Sequence, residues 1–160
     1  MPKKPKVYLD TNIVSYLVAR RSSDLIMAGR QLLTIDWWEN ERGNYELFIS
    51  EMVLREAGLG DPDEIVKRSA ALDGLPQLDL TDEVASLADR LLTKGVLPAK
   101  AARDAVHIAV ATVHRMDYLL TWNFKHIANG HVRKMANRLF QQAGYEIPLI
   151  CTPEELKETS

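Results

Sequence analysis

The sequence predicts an α/β fold with a mostly parallel central sheet and helices on both faces. Two observations carry that prediction. Short runs rich in β-branched and aromatic residues alternate with longer segments whose apolar residues recur at helical spacing. One of those longer segments, residues 98–115, is apolar almost all round, the mark of a buried helix.

Residues 7–10 form the first strand, and residues 12–19 follow as a helix with Ile13, Tyr16 and Leu17 at helical spacing. A second helix covers residues 23–40 and ends before the turn Arg42-Gly43-Asn44. Residues 45–50 are strand two, and residues 51–57 a short helix behind it. Asp61 caps the next helix, with Pro62 at its first position and Asp63 and Glu64 in its first turn. It runs to Leu72, and Gly74 closes it. Residues 78–80 make a brief strand. Thr81 caps a helix carrying Val84, Leu87, Ala88, Leu91 and Leu92 on one stripe. After the buried helix, residues 118–121 are a strand. Val132, Met135, Ala136, Leu139, Phe140 and Ala143 mark an amphipathic helix stopped by Gly144. Residues 147–150 are the last strand, and Thr152-Pro153-Glu154-Glu155 opens a final helical turn. With no repeat, low-complexity tract or linker, the expectation is one domain over 1–160, its core about 6–150 and a short tail 151–160.

Composition narrows the function classes. The 160 residues are 46% hydrophobic and 26% charged, as in an ordinary globular protein. A formal net charge of −2 gives no general field for nucleic acid, so such a contact must rest on a local patch. The single Cys151 rules out an internal disulfide framework and suits a reducing compartment. No signal-peptide core and no membrane-spanning run is present, so a soluble, cytoplasmic protein is expected.

Polar residues that bear chemistry stand where α/β sheets gather ligands. Asp10 ends strand one, followed by Thr11 and Asn12; ligands sit beyond the carboxyl ends of strands, although Asp and Asn are equally good caps. Asp104 lies on the buried helix, where a carboxylate costs several kcal/mol unless paired or bound to a cation. Arg103 beside it faces another way. Glu56 follows strand two, and Asn123 follows residues 118–121. Three acids at one end of a sheet repel unless something positive sits between them, and the chief candidate is a hard cation. Mg²⁺ or Mn²⁺ fits oxygen ligands, whereas zinc does not, since Cys151 is alone and the four His are scattered.

The matching stretches Val-Tyr-Leu-Asp10-Thr-Asn-Ile, Phe-Ile-Ser50-Glu-Met-Val-Leu-Arg-Glu56, Ala-Arg-Asp104-Ala-Val-His-Ile-Ala and Asp-Tyr-Leu-Leu-Thr121-Trp-Asn123-Phe-Lys-His occur in order over residues 7–127. In these the chain resembles the PIN-domain family, which includes the VapC-like ribonuclease toxins of bacterial toxin–antitoxin pairs. The resemblance implies a Rossmann-like α/β/α fold and metal-dependent cleavage of RNA. It carries the catalytic positions to Asp10, Glu56, Asp104 and Asn123, with Asp10, Glu56 and Asp104 as metal ligands. Many members place an acid where Asn123 stands, which puts a second metal in doubt. Spacing from Ser50 favours Glu56 over Glu51 as the second acid. The resemblance also implies a homodimer and a small antitoxin partner.

Other residues stay open between roles. Thr11, Asn12 and Thr121 are supports for the acids or first-turn caps. His107 shares a helix face with Asp104, as a ligand or as a hydrogen-bonded core histidine. Trp122 stacks on a base or packs. Lys125, His126, His131, Arg133, Lys134 and Arg138 form a phosphate patch bordering the site or a solvated face. Trp37 and Trp38 widen the apolar surface of the second helix, for the core or for a partner. Two other classes compete with the nuclease. A phosphatase with a strand-end Asp nucleophile generally needs an acid two residues on, where Asn12 stands; a catalytically weak RNA- or protein-binding scaffold is compatible with Asn123.

Overall fold

In the computed structural model, which describes residues 3–157, five parallel strands form one sheet in the order β3-β2-β1-β4-β5. Strand β1 (Lys6–Leu9) lies at the centre, flanked by β2 (Glu46–Ser50) and β4 (Tyr118–Leu120). Val7 pairs with Leu47 on one side and with Tyr118 on the other. Buried on both faces, β1 has no alternating pattern: Val7, Tyr8 and Leu9 are all core. Strands β3 (Gln77–Leu78) and β5 (Leu149–Cys151) are short edges.

The helices fall into two packed groups, α1 (Thr11–Val18), α2 (Leu25–Asn40), α3 (Glu51–Ala57) and α4 (Pro62–Leu72), and then α5 (Asp82–Thr93), α6 (Ala102–Val113) and α7 (Gly130–Gln142). Connections from β1 through β3 step one way across the sheet, and those from β3 through β5 step back. Right-handed crossovers therefore put the two groups on opposite faces. The reversal falls at β1 and β4, whose carboxyl ends open the crevice that such sheets offer to ligands.

Local signals set most boundaries. Asp61, Thr81 and Asn129 cap α4, α5 and α7 through their side chains, while Gly74 and Gly144 take the positive φ of 79° and 88° that closes α4 and α7. Four expectations are corrected. The buried helix begins with a 3-10 turn at Ala99–Ala101, so α6 proper starts at Ala102 and Asp104 lies in its first turn, not midway. The edge strands are displaced to Gln77–Leu78 and Leu149–Cys151, because pairing with β2 and β4 sets their ends. The chain after residue 150 is not a tail: Cys151 pairs with Leu120, and buried Leu156 accepts a 2.8 Å hydrogen bond from Trp37 Nε1. Residues 158–160 of that expected tail lie outside the described residues. Trp37 is itself core and Trp38 half-buried under Arg42, so the apolar surface that α2 leaves open is Leu25, Ile26 and Leu32. Among the described residues no helix is long and apolar enough to cross a membrane.

Candidate active site

Asp10 leaves β1 at the centre of the crevice, 5% exposed, with donors from its own helix start and from the end of β4. Its Oδ1 accepts from the Thr11 amide at 2.7 Å, so it caps α1. Its Oδ2 accepts from the Thr121 hydroxyl at 2.7 Å and from Asn12 Nδ2 at 3.0 Å. Asn12 Oδ1 in turn accepts from the Trp122 amide at 2.9 Å, tying the ends of β1 and β4 together. Capping and site roles thus belong to the same side chain.

Glu56 comes from the last turn of α3, over the end of β2. Its Oε1 accepts from the Thr11 hydroxyl at 2.7 Å and meets His107 Nε2 at 2.5 Å. Glu51 points elsewhere, paired with Arg55 at 2.6 Å on the exposed side of α3. His107, one turn along α6 from Asp104, is fully buried. Its Nδ1 lies 2.7 Å from Tyr8 Oη, which lies 2.8 Å from Ser50 Oγ. Beneath the acids runs a buried chain of hydrogen bonds, Ser50–Tyr8–His107–Glu56, with His107 Nε2 also 3.5 Å from Asp10 Oδ1. Asp10, Glu56 and His107 bring one ligand atom each within 4.8 Å of one another.

Asp104 stands beside this group but outside it. It is half-buried, its Oδ2 2.9 Å from His126 Nδ1. Asn123 makes that pairing possible: its Oδ1 accepts from the His126 amide at 2.9 Å and its amide donates to Thr121 Oγ1, fixing the turn after β4. The expected full burial of Asp104 does not hold, because the first turn of α6 lies at the crevice mouth.

The charges answer one another. Burial raises the Asp10 pKa, helped by the like charges of Glu56 and Asp104 and opposed by His107 and Thr121. Burial also works to raise Glu56, but His107, Thr11 and Arg103 outweigh it and leave it lowered. For His107 burial favours the neutral ring, yet Asp10, Glu56 and Asp104 together raise its pKa. Among the described residues, His107 is the one ring with three acids about it.

The expected basic surface divides. Lys125 is exposed just beyond Asn123 and His126 pairs with Asp104, but Arg133 lies 3.9 Å from Glu155 and Lys134 lines a different region. That region, a groove of about 1160 Å³, follows α7 and the amino ends of β4 and β5 and includes none of the acids. Residue spacing brings Asp10, Thr11, Asn12, Glu56 and Thr121 together as expected. His107 takes the hydrogen-bonded core position that its i+3 offset from Asp104 left open; spacing gives no signal for the Tyr8–Ser50 support, and His126, read within a basic patch, pairs with Asp104 instead. Burial closes Trp122, which packs against Tyr16 and donates from its indole to Thr34 Oγ1 at 2.8 Å.

Comparison with known proteins adds an independent line. The sequence matches the PIN domain family over residues 7–128. No curated protein matches. Among solved structures, the chain is similar to VapBC2 from Rickettsia felis bound to a DNA fragment from its promoter. The TM-score is 0.56 at 16% identity, with 92% of this chain and 98% of that chain covered. At that identity the likeness is one of fold.

Proposed function

The chain belongs to the PIN-domain family, and from that premise we propose that it is a divalent-metal-dependent endoribonuclease, the toxin of a toxin–antitoxin pair. The observation that carries the reading is the meeting of Asp10 and Glu56 around His107 at the switch point of the sheet, with Asp104 near enough to act on Asp10. The donor set fits a hard cation. Asp10 and Glu56 offer carboxylate oxygens at close range with no thiolate nearby, and a cation would offset the burial, and with it the like charges, that raise Asp10. Asp10, Glu56 and Asp104 would hold Mg²⁺ or Mn²⁺. Bound there, the ion supplies Lewis-acid stabilisation of a phosphodiester and a nucleophilic water at neutral pH.

The chain's own residues do the rest. Thr11, Asn12 and Thr121 fix both oxygens of Asp10, and Thr11 with His107 fixes Glu56. Asn123 serves by holding the turn that presents His126 to Asp104. Lys125, exposed two residues beyond Asn123, would meet a substrate phosphate. No paired Ser–His or Cys–His nucleophile opens onto the crevice among the described residues; Ser50 is buried beneath Tyr8, and burial pushes the Cys151 thiol up to about 12. Hydrolysis leaving 5′-phosphate and 3′-hydroxyl ends is the expected outcome.

A small antitoxin covering the crevice, and a homodimer, complete the proposal. Support comes from the fold shared with a VapBC2 chain and from the open apolar residues Leu25, Ile26 and Leu32 of α2. The test is cleavage of end-labelled single-stranded RNA by purified protein in Mn²⁺, in Mg²⁺ and in EDTA. Cleavage confined to the metal-containing samples supports the reading; cleavage that survives excess EDTA rejects it. A monomer by light scattering, with no small protein recovered on co-purification, rejects the partner assignments.

A further inference from the structure

Beside the acids, on the α2 side, stands an aromatic and guanidinium pair that the proposed chemistry does not use. Trp122 is joined to Asp10 through one residue, its amide on Asn12 and Asn12 on Asp10. Phe124 follows in a tight turn, its amide 3.0 Å from the Trp122 carbonyl, and the residue is 41% exposed. The Arg30 guanidinium lies over that ring at 4.7 Å from its centre and at 5.9 Å from the Trp122 ring. Trp122 cannot move, being buried, stacked on Tyr16 and bonded to Thr34. It is the floor on which Arg30 and Phe124 rest.

Arg30 is half-buried, yet among the described residues it has no carboxylate within ion-pair distance and its guanidinium donates no hydrogen bond to the protein. A guanidinium held over an aromatic ring by its carbon still has N–H groups to donate, and that planar fork matches a phosphate. An exposed aromatic ring takes any nucleobase by its face. Phe124 directly follows Asn123, and the chain there is tied through the Trp122 amide and Asn12 to Asp10, which sets the pair at the end of β4 that borders the crevice.

We propose that Phe124 and Arg30 form a nucleotide platform for single-stranded RNA, the base stacked on Phe124 and its phosphate held by Arg30. This rests on the ribonuclease reading and names the substrate class of that same site. Paired RNA presents no splayed base to such a ring, so unpaired segments are the substrate and duplex is not.

The experiment measures binding of a labelled single-stranded RNA by fluorescence anisotropy on an Asp104→Asn background, and cleavage kinetics on the active protein. Phe124→Leu keeps an apolar side chain but loses the ring. It should weaken binding roughly five- to hundredfold, raise KM with kcat little changed, and leave the salt dependence alone. Phe124→Trp should bind as well as the parent or better. Arg30→Gln should weaken binding and reduce the slope of log affinity against log salt by about 0.7, one single-strand phosphate contact; Arg30→Lys should restore the slope. If RNA is cleaved but folded Phe124→Leu and Arg30→Gln bind and cleave like the parent, the platform is wrong and the nuclease reading stands. The platform is equally overturned if those variants lose only capture of a protein partner. RNA neither bound nor cleaved by the parent overturns both.

Discussion

Asp104 and His107, one helical turn apart, divide the site between charge and support. Asp104 is half-buried with one histidine partner, so Asp104→Asn keeps the fold and the hydrogen bond to His126. RNA cleavage in Mg²⁺ should nonetheless fall by orders of magnitude, because a hard ligand becomes neutral; a wild-type rate from the folded variant would remove Asp104 from the machinery. His107 is different. Its pKa is raised above the usual 6.5 by the acids around it, so its stabilising contribution is complete below that value and is lost as pH rises through the raised one. Metal-free protein should therefore lose unfolding free energy on the alkaline side of pH 6.5. His107→Leu should lack that limb and be less stable by about 3 kcal/mol at pH 6, since removing one partner leaves a buried charge uncompensated. Urea titrations from pH 5 to 9 in EDTA measure both. Glu56, lowered in the folded state, supplies the opposite limb: its contribution holds above the usual 4.5 and fades as pH falls below it. Asp10 was legible because it ends a strand and Asp104 because a carboxylate stands out on an apolar helix, while Glu56, in the last turn of α3, was carried by the family resemblance. The chain Ser50–Tyr8–His107 was not legible, since residues far apart in sequence meet only when β1, β2 and α6 pack.

Among the elements, α3 has the hardest task, a seven-residue helix that must aim Glu56 inward from its final turn. Helices that short are not stable alone. Its carboxyl end is held from α4, where buried Arg68 donates to the Ala57 carbonyl at 3.0 Å and the Leu59 carbonyl at 2.5 Å, with Glu64 3.5 Å away. Arg68→Met should cost about 2–3 kcal/mol, from charged hydrogen bonds lost at buried carbonyls. It should also speed amide exchange at Gly58 and Leu59 and reduce RNA cleavage more than stability alone explains. Unchanged exchange there would show that α3 needs no such brace. Capping residues foretold α4 and α5 closely, because a cap is local chemistry. The edge strands escaped, because their few paired residues are chosen by β2 and β4 rather than by their own pattern. The apolar surface of α2 was left open between core and partner for a related reason. Helical spacing gives a wide stripe, and only packing reveals that Trp37 is interior while Leu25, Ile26 and Leu32 are not.

For the whole molecule, one five-stranded sheet runs through both helix layers and the core is continuous around it. A single cooperative unfolding transition is expected by calorimetry, consistent with one domain. Mn²⁺ at a hundredfold excess over its Kd should raise the midpoint by about 5–10 °C, since binding to the folded state alone contributes about 2.7 kcal/mol and each kcal/mol moves a chain of this size by about 2–4 °C. EDTA should reverse the shift, and an unmoved midpoint would argue that no such ion is held. The alternation of strands and helices made the layered sheet legible from composition and periodicity, and the reversal of strand order at β1 and β4 turned that layering into a crevice with Asp10 at its centre. The claim that Asp10, Glu56 and Asp104 together hold a divalent cation meets its most direct test in crystals grown with Mn²⁺ and measured at the manganese absorption edge. An anomalous peak ligated by Asp10 and Asp104, with Glu56 bound directly or through water, is the predicted result; well-ordered crystals at saturating Mn²⁺ with no peak among those carboxylates would contradict it.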